Sequence, residues 1–157
     1  MRWKILYRGV SMLQWQAGEA LTPKLPYTAF EYEFMRHGES PPRTRGGVGS
    51  GATRHPSHLN AAMLHELHQR GFPTSGVSTT PHYHRAKFYA IDRNPQGVVL
   101  TLDCERLFSE GVKFFVVRDL LPYPSVPDDD EVILVASGEG PLPSSALVGH
   151  KILEHDK

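Results

Sequence analysis

The run Val-Ile-Leu-Val-Ala at residues 132–136 is the feature that most constrains the fold. Successive side chains of a strand point to opposite faces of its sheet, so a run that is apolar throughout must be covered on both faces. We therefore predict a central strand here. Three further strand-length apolar segments occur in the same half of the chain, at residues 97–102, 112–117 and 146–153. The C-terminal half should thus be mainly β-sheet.

The N-terminal half instead shows helix signals beside two short strand patterns, at residues 3–7 and 30–34. Ser11 can cap a short helix, and residues 57–70 carry apolar side chains at helical spacing. Thr80 can cap a further helix over residues 81–91. Helices and strands that are segregated along the chain, rather than alternating, predict an α+β fold with N-terminal helices.

Composition narrows the class of protein. A chain of 157 residues corresponds to a single domain, residues 1–157, and 39% hydrophobic residues with 17 basic and 17 acidic side chains exclude a disordered chain. The single cysteine excludes an intrachain disulfide. No apolar run reaches the roughly 20 residues of a membrane helix, and the N-terminus does not resemble a signal peptide. We expect no membrane association and a cytoplasmic site of action, in its own cell or in a target cell after delivery.

Residues 38–56 form a segment rich in Gly, Pro and Arg that contains one acidic residue, Glu39. This composition predicts a mobile basic loop without regular structure. Such a loop could contact a nucleic-acid backbone or a protein partner. The first alternative function is therefore a non-enzymatic binding module.

Three short segments contain residues that could act in catalysis. Arg8 ends the predicted first strand and offers a guanidinium for a diphosphate or ribose, with Gly9 permitting close backbone approach. Ser78 could hold a catalytic carboxylate. Glu131 adjoins the apolar run, where a carboxylate is costly unless it is paired or used. If the chain is extended from Asp129, then Asp129 and Glu131 share one face.

In their order along the chain, these segments resemble the ADP-ribosyltransferases of the cholera-toxin type, which carry an Arg, a Ser-Thr-Ser and a Glu-x-Glu. The resemblance rests on Leu6-Tyr7-Arg8, on Val77-Ser78-Thr79-Thr80 and on Pro127-Asp128-Asp129-Asp130-Glu131-Val132. Two positions depart from the family pattern: Thr80 stands for the last Ser, and Asp129 stands for the first Glu. The resemblance implies a split, bent β-sandwich that binds NAD as a substrate.

The resemblance also implies a role for each residue. Glu131 would hold the ribose 2′-OH of NAD, Ser78 would hydrogen-bond Glu131, and Asp129 would orient or deprotonate the acceptor. The residues expected to bind NAD are Tyr7, Arg8, Gly9, Thr79 and Thr80. A carboxylate at the 2′-OH stabilises the positive charge that develops as the bond to nicotinamide breaks.

We expect no bound metal, because no Cys or carboxylate set completes a ligand group with the nine histidines. His55 or His58 could assist near the NAD site.

The function implied by the resemblance is that of a mono-ADP-ribosyltransferase, a glycosyltransferase acting as a toxin or effector. Its acceptor would be a macromolecule, with a protein side chain favoured over a nucleic acid, and an immunity or antitoxin protein could bind it. A second alternative on the same fold is an enzyme like the RNA 2′-phosphotransferases. Those enzymes lack a catalytic Glu at this place, so the Asp129-x-Glu131 segment counts against that alternative.

Overall fold

The computed structural model describes residues 2–23, 33–34, 52–53, 76–120, 126–138 and 140–155. In chain order, its strands are β1 (Ile5–Ser11), β2 (Glu33–Phe34), β3 (Ala52–Thr53), β4 (Val77–Thr79), β5 (Gln96–Asp103), β6 (Lys113–Val116), β7 (Val132–Val135) and β8 (Leu147–Glu154). Its helices are α1 (Met12–Gln16), α2 (Tyr83–Ile91), α3 (Cys104–Ser109) and α4 (Val117–Leu120), with single 3₁₀ turns at Pro127–Asp129 and Ser144–Ala146.

Two three-stranded antiparallel sheets form the framework of this α+β protein. The first has the order β1-β5-β8, and the second has the order β4-β7-β6. An isolated antiparallel backbone pair links the two sheets. It joins Tyr7 of β1 to Thr80, the residue just after β4. Strands β2 and β3 pair with each other as a separate two-stranded ribbon.

Apolar side chains from both sheets form the main buried cluster among the described residues. Leu6 and Leu100 from the first sheet and Val132 and Leu134 from the second are all fully buried in it. Strand β7 is buried at every position and lies between β4 and β6. The prediction of a central strand from the apolar run is therefore confirmed.

Local signals predicted several elements well. Ser11 caps α1, since its hydroxyl accepts a hydrogen bond from the backbone N–H of Gln14 at 3.1 Å. The strands predicted at residues 97–102, 112–117 and 146–153 correspond to β5, β6 and β8, with each end shifted by one residue. The first strand was placed too early, because β1 continues to Ser11 in register with β5.

The predicted segregation of N-terminal helices from C-terminal strands is wrong. Strand β1 is an integral part of the first sheet, and α2, α3 and α4 connect strands after residue 82. The expectation that residues 38–56 have no regular structure is also wrong at Ala52–Thr53, which pair with β2. The predicted helix at residues 57–70, together with His55 and His58, lies outside the described residues.

None of the helices in the described ranges combines the length and the apolar character that crossing a membrane requires.

Helix α2 lies directly on the backbone of the first sheet. A Cβ atom added to Gly9 would lie 2.0 Å from the carbonyl oxygen of Ala86, and one added to Gly97 would lie 2.0 Å from that of Ala90. Ala86 and Ala90 are themselves buried. The missing side chain of Gly9 therefore makes room for α2, and the predicted role of Gly9 in NAD binding stays a prediction.

Replacing Gly9 by Ala should destabilise the protein by about 1–3 kcal/mol, because the new methyl group overlaps backbone atoms of α2. Urea unfolding followed by circular dichroism measures this change. Gly138→Ala is the matched control, since no atom lies within 4 Å of a Cβ there. Equal unfolding midpoints for the two variants would contradict the proposed close packing.

Candidate active site

The link between the two sheets places Arg8 beside Ser78. Tyr7 and Thr80 exchange two backbone hydrogen bonds of 2.8 and 2.9 Å, which bring β1 against the end of β4. The Arg8 side chain crosses this junction: its Nε donates to the carbonyl of Ala20 and its Nη1 to the carbonyl of Ser78, both at 2.9 Å. Arg8 lies in the middle of β1. Its predicted place at the end of the first strand is wrong, because β1 continues to Ser11.

These two bonds fix the guanidinium without using all of its donors. Arginine has five N–H groups, so three remain for other partners. Burial lowers the pKa of Arg8 to about 10, and the negative charge of Glu131 opposes this shift. Arg8 thus stays cationic at neutral pH, in an electrostatic environment that it shares with Glu131.

Ser78 and Glu131 are in direct contact. The Ser78 hydroxyl donates to Glu131 Oε2 at 2.5 Å, and Glu131 is only 8% exposed. The register of β4 and β7 explains the contact. Ser78 is opposite Ile133, and Glu131 is two residues before Ile133, so its side chain points to the same face. A carboxylate is therefore held at the junction of the sheets beside a fixed guanidinium.

The segment before Glu131 is not extended, so the predicted shared face of Asp129 and Glu131 is wrong. Residues Pro127–Asp129 form a 3₁₀ turn, and Asp130 has a φ of 46°, in the left-handed region. Aspartate tolerates this conformation better than most residues. The turn directs Asp129 toward α2, whereas Glu131 contacts β4.

Both carboxylate oxygens of Asp129 accept hydrogen bonds from α2. Arg85 Nε donates to Oδ1 at 2.7 Å, and the Tyr89 hydroxyl donates to Oδ2. The hydrogen bond to Asp129 raises the pKa of Arg85 above its usual value. Burial and the contact with Asp129 raise the pKa of Tyr89 to about 12. Asp129 thus supports the turn through α2, and its role toward an acceptor stays a prediction.

Asp130 binds two cationic or potentially cationic groups. Its Oδ2 lies 2.6 Å from His82 Nε2, and its Oδ1 lies 2.6 Å from Arg118 Nη2. These contacts hold the left-handed residue between the start of α2 and α4. Contacts with the start of α2 and with α4 therefore fix the turn before Glu131.

Three other residues predicted to bind NAD have side-chain contacts within the protein. Tyr7 packs edge-on against the ring of Tyr83, with 5.5 Å between ring centroids. The Thr79 hydroxyl donates to the carbonyl of Val132 at 2.6 Å, and that of Thr80 donates to the carbonyl of Asp129 at 2.5 Å. These side chains bind the protein itself, and their role in NAD binding stays a prediction. Their contacts position Arg8 and the turn.

The predicted cap at Thr80 also needs correction. Helix α2 begins at Tyr83, with His82 in the capping position and no side-chain cap bond. The Thr80 hydroxyl accepts a hydrogen bond from the backbone N–H of His82 at 3.1 Å. Thr80 thus joins the start of α2 to the turn.

Sequence reasoning missed three functional candidates, His82, Arg85 and Tyr89. Their spacing of i, i+3 and i+7 would place them on one face of a helix, and that face meets the acidic turn. The sequence could have indicated this contact, because a polar stripe on one helix face can pair with the acidic segment at residues 128–131.

The described ranges contain no cluster of three or more His, Cys, Asp or Glu side chains that could hold a metal ion. A comparison of the chain with known protein families finds no match, and no curated protein is similar enough to count as a relative.

The Tyr89–Asp129 contact should contribute to the free energy of unfolding. Tyr89→Phe should lower the free energy of unfolding by about 1 kcal/mol at neutral pH, since a partly exposed hydrogen bond to a charged group is lost. Because the folded state raises the pKa of Tyr89 to about 12, this stabilisation is complete below about pH 10 and is lost as the pH rises to about 12.

Urea unfolding of both proteins at neutral pH and across that alkaline range measures the effect. Tyr83→Phe is the matched control, because the buried Tyr83 hydroxyl has no hydrogen-bond partner among the described residues. A difference between wild type and Tyr89→Phe that is constant across the range would contradict the assigned contact.

Proposed function

We propose that this protein is a mono-ADP-ribosyltransferase, which moves ADP-ribose from NAD to a macromolecular acceptor and releases nicotinamide. The observation that carries the proposal is the buried Ser78–Glu131 contact of 2.5 Å beside the anchored guanidinium of Arg8. Three residues from distant parts of the chain, each singled out by its local sequence, are brought to one junction between two sheets. A split sandwich of the ADP-ribosyltransferase type is compatible with this arrangement.

The chemistry of this group suits NAD. Arg8 has three unassigned N–H donors that can bind a phosphate or ribose oxygen, and its position is fixed before a ligand arrives. Glu131 can accept a hydrogen bond from a ribose 2′-OH while Ser78 orients it. Of the five residues predicted to bind NAD, the proposal uses the side chain of Arg8.

Glu131 would accelerate the reaction electrostatically. As the bond from ribose C1′ to nicotinamide breaks, positive charge develops on the sugar, and its electron pair goes to the departing nicotinamide. A buried carboxylate interacts with that charge more strongly in the transition state than in the ground state, as catalysis requires. Asp129 supports the turn that positions Glu131 and does not itself serve the acceptor.

The acceptor remains a macromolecule in this proposal, with a protein side chain favoured over a nucleic acid. A toxin or effector of this kind would act in a cytoplasm, and an immunity or antitoxin protein could bind it. A non-enzymatic binding module has no need of the Arg8, Ser78 and Glu131 group.

The decisive experiment is incubation of the protein and cell lysate with NAD labelled in its adenylate part. We expect release of nicotinamide and label on macromolecules that protease removes and nuclease does not. Label that only nuclease removes would assign the acceptor to nucleic acid. Glu131→Gln serves as the inactive control, and an absence of nicotinamide release by the wild-type protein would refute the proposal.

A further inference from the structure

We infer that His82, oriented by Asp130, is the general base that removes the proton from the acceptor during transfer. The inference rests on the proposed function and assigns the acceptor side of that reaction. It starts from the finding that Asp129, the residue expected to serve the acceptor, has both carboxylate oxygens bound by Arg85 and Tyr89.

The contact with Asp130 sets the proton position on the His82 ring. An ionised carboxylate only accepts hydrogen bonds, so Nε2 of His82, at 2.6 Å from Asp130 Oδ2, must carry a proton. In the neutral ring Nδ1 then has the lone pair. No residue in the described part of the chain hydrogen-bonds Nδ1, and the side chain is 40% exposed. The ring is thus fixed at one nitrogen and accessible at the other, as in the Asp–His pairs of hydrolases.

His82 is also connected to Glu131 through contacts with the turn. Asp130 immediately precedes Glu131, and the backbone N–H of His82 bonds the same Thr80 hydroxyl that holds the carbonyl of Asp129. A change in the turn would therefore move His82 and Glu131 together. The turn thus connects the base to the carboxylate that stabilises the sugar cation.

The transfer step forms a bond to ribose C1′ as the bond from C1′ to nicotinamide breaks. The electron pair of the C1′–nicotinamide bond leaves with nicotinamide, which becomes neutral. A lone pair of the acceptor nitrogen or oxygen forms the new bond to C1′, and the proton on that atom passes to Nδ1 of His82 and then to water. When water itself attacks, bulk water can take the proton, so hydrolysis of NAD depends much less on His82.

The test compares His82→Gln with His84→Gln. His84 lies in the first turn of α2, with its ring 5.7 Å from that of His82, but it does not contact Asp130. The two readouts are transfer of label from NAD to lysate protein and nicotinamide release in buffer alone. His82→Gln should slow transfer by about 10²-fold and change hydrolysis by less than about threefold. His84→Gln should leave both rates at the wild-type level.

A pH profile separates a base from a structural residue. The groups around the His82 ring are Asp130, Arg118 on the same carboxylate, and His84. The pH profile of transfer by the wild-type protein should differ from that of His82→Gln, because only the wild-type protein has an ionisable base at this position. Added imidazole should partly restore transfer by His82→Ala.

Three results would overturn the inference: undiminished transfer by His82→Gln, equal loss of transfer and hydrolysis, or no rescue of His82→Ala by imidazole. In each of these cases wild-type hydrolysis of NAD still stands, so the proposed function survives. If the wild-type protein releases no nicotinamide, both proposals fail, and that outcome is recognised before any variant is assayed.

Discussion

Glu131→Gln should lower the rate of nicotinamide release by about 10²–10³-fold and leave the affinity for NAD nearly unchanged. Glutamine has the size of glutamate, and its side-chain oxygen can still accept the hydrogen bond from Ser78. What disappears is the negative charge that faces the sugar as it becomes cationic. Since that charge acts mainly in the transition state, the loss should appear in kcat rather than in binding.

The low exposure of Glu131 explains why the expected effect is large. At 8% exposure, little water screens the carboxylate from the ribose, so its interaction with a developing charge is stronger than at the surface. Asp128→Asn is the matched control, because Asp128 is an exposed acid three residues earlier in the same segment. It should retain wild-type nicotinamide release. A Glu131→Gln variant that cleaves NAD at the wild-type rate would rule out the proposed catalytic role.

The parts of the structure that follow from local sequence were predictable. The run at residues 132–136 is apolar on both faces whatever its neighbours are, so it could only be a central strand. Ser11 caps α1 through a bond to a residue three positions away, which needs no tertiary information. The order of Arg8, Ser78 and Glu131 in the chain was likewise sufficient to single out the three residues that the structure brings together.

The turn before Glu131 could not be predicted, because distant contacts determine its conformation. Asp130 adopts a left-handed conformation while bound to His82, 48 residues away in sequence. Arg85 and Tyr89, also distant in sequence, bind the side chain of Asp129 and hold it away from the face of Glu131. Gly9 shows a related limit: its sequence context fits a ligand site, but the fold brings α2 against it.

The second large effect is expected at Arg8, where Arg8→Lys should weaken NAD binding by about 10–100-fold. A lysine keeps the charge but loses the planar fork, so it cannot bond the carbonyls of Ala20 and Ser78 and still present a fixed donor to a ligand. A single hydrogen bond to a charged group contributes about 1.5–3 kcal/mol, which corresponds to this range.

The variant should also make NAD binding depend on pH. Burial already lowers the pKa of Arg8 from 12.5 to about 10, which leaves arginine charged throughout the neutral range. The same burial would lower the pKa of a lysine from a smaller starting value of about 10.4, so lysine begins to lose its charge closer to neutral pH. The affinity of Arg8→Lys for NAD should therefore fall as the pH rises from 7 toward about 9, whereas that of the parent protein stays constant.

Calorimetric titration of NAD, with Glu131→Gln as the parent background to prevent turnover, measures both effects. The matched control is Arg93→Lys, which changes an arginine with a 92% exposed side chain and should leave the affinity unchanged at every pH. A melting curve of Arg8→Lys tests whether the junction between the sheets remains folded. We expect that it does, since a lysine can still donate to one of the two carbonyls.

Unchanged affinity in a folded Arg8→Lys protein would remove Arg8 from the NAD site. An affinity that is lower but constant with pH would show that the geometry of the guanidinium, rather than its resistance to deprotonation, is what binding requires.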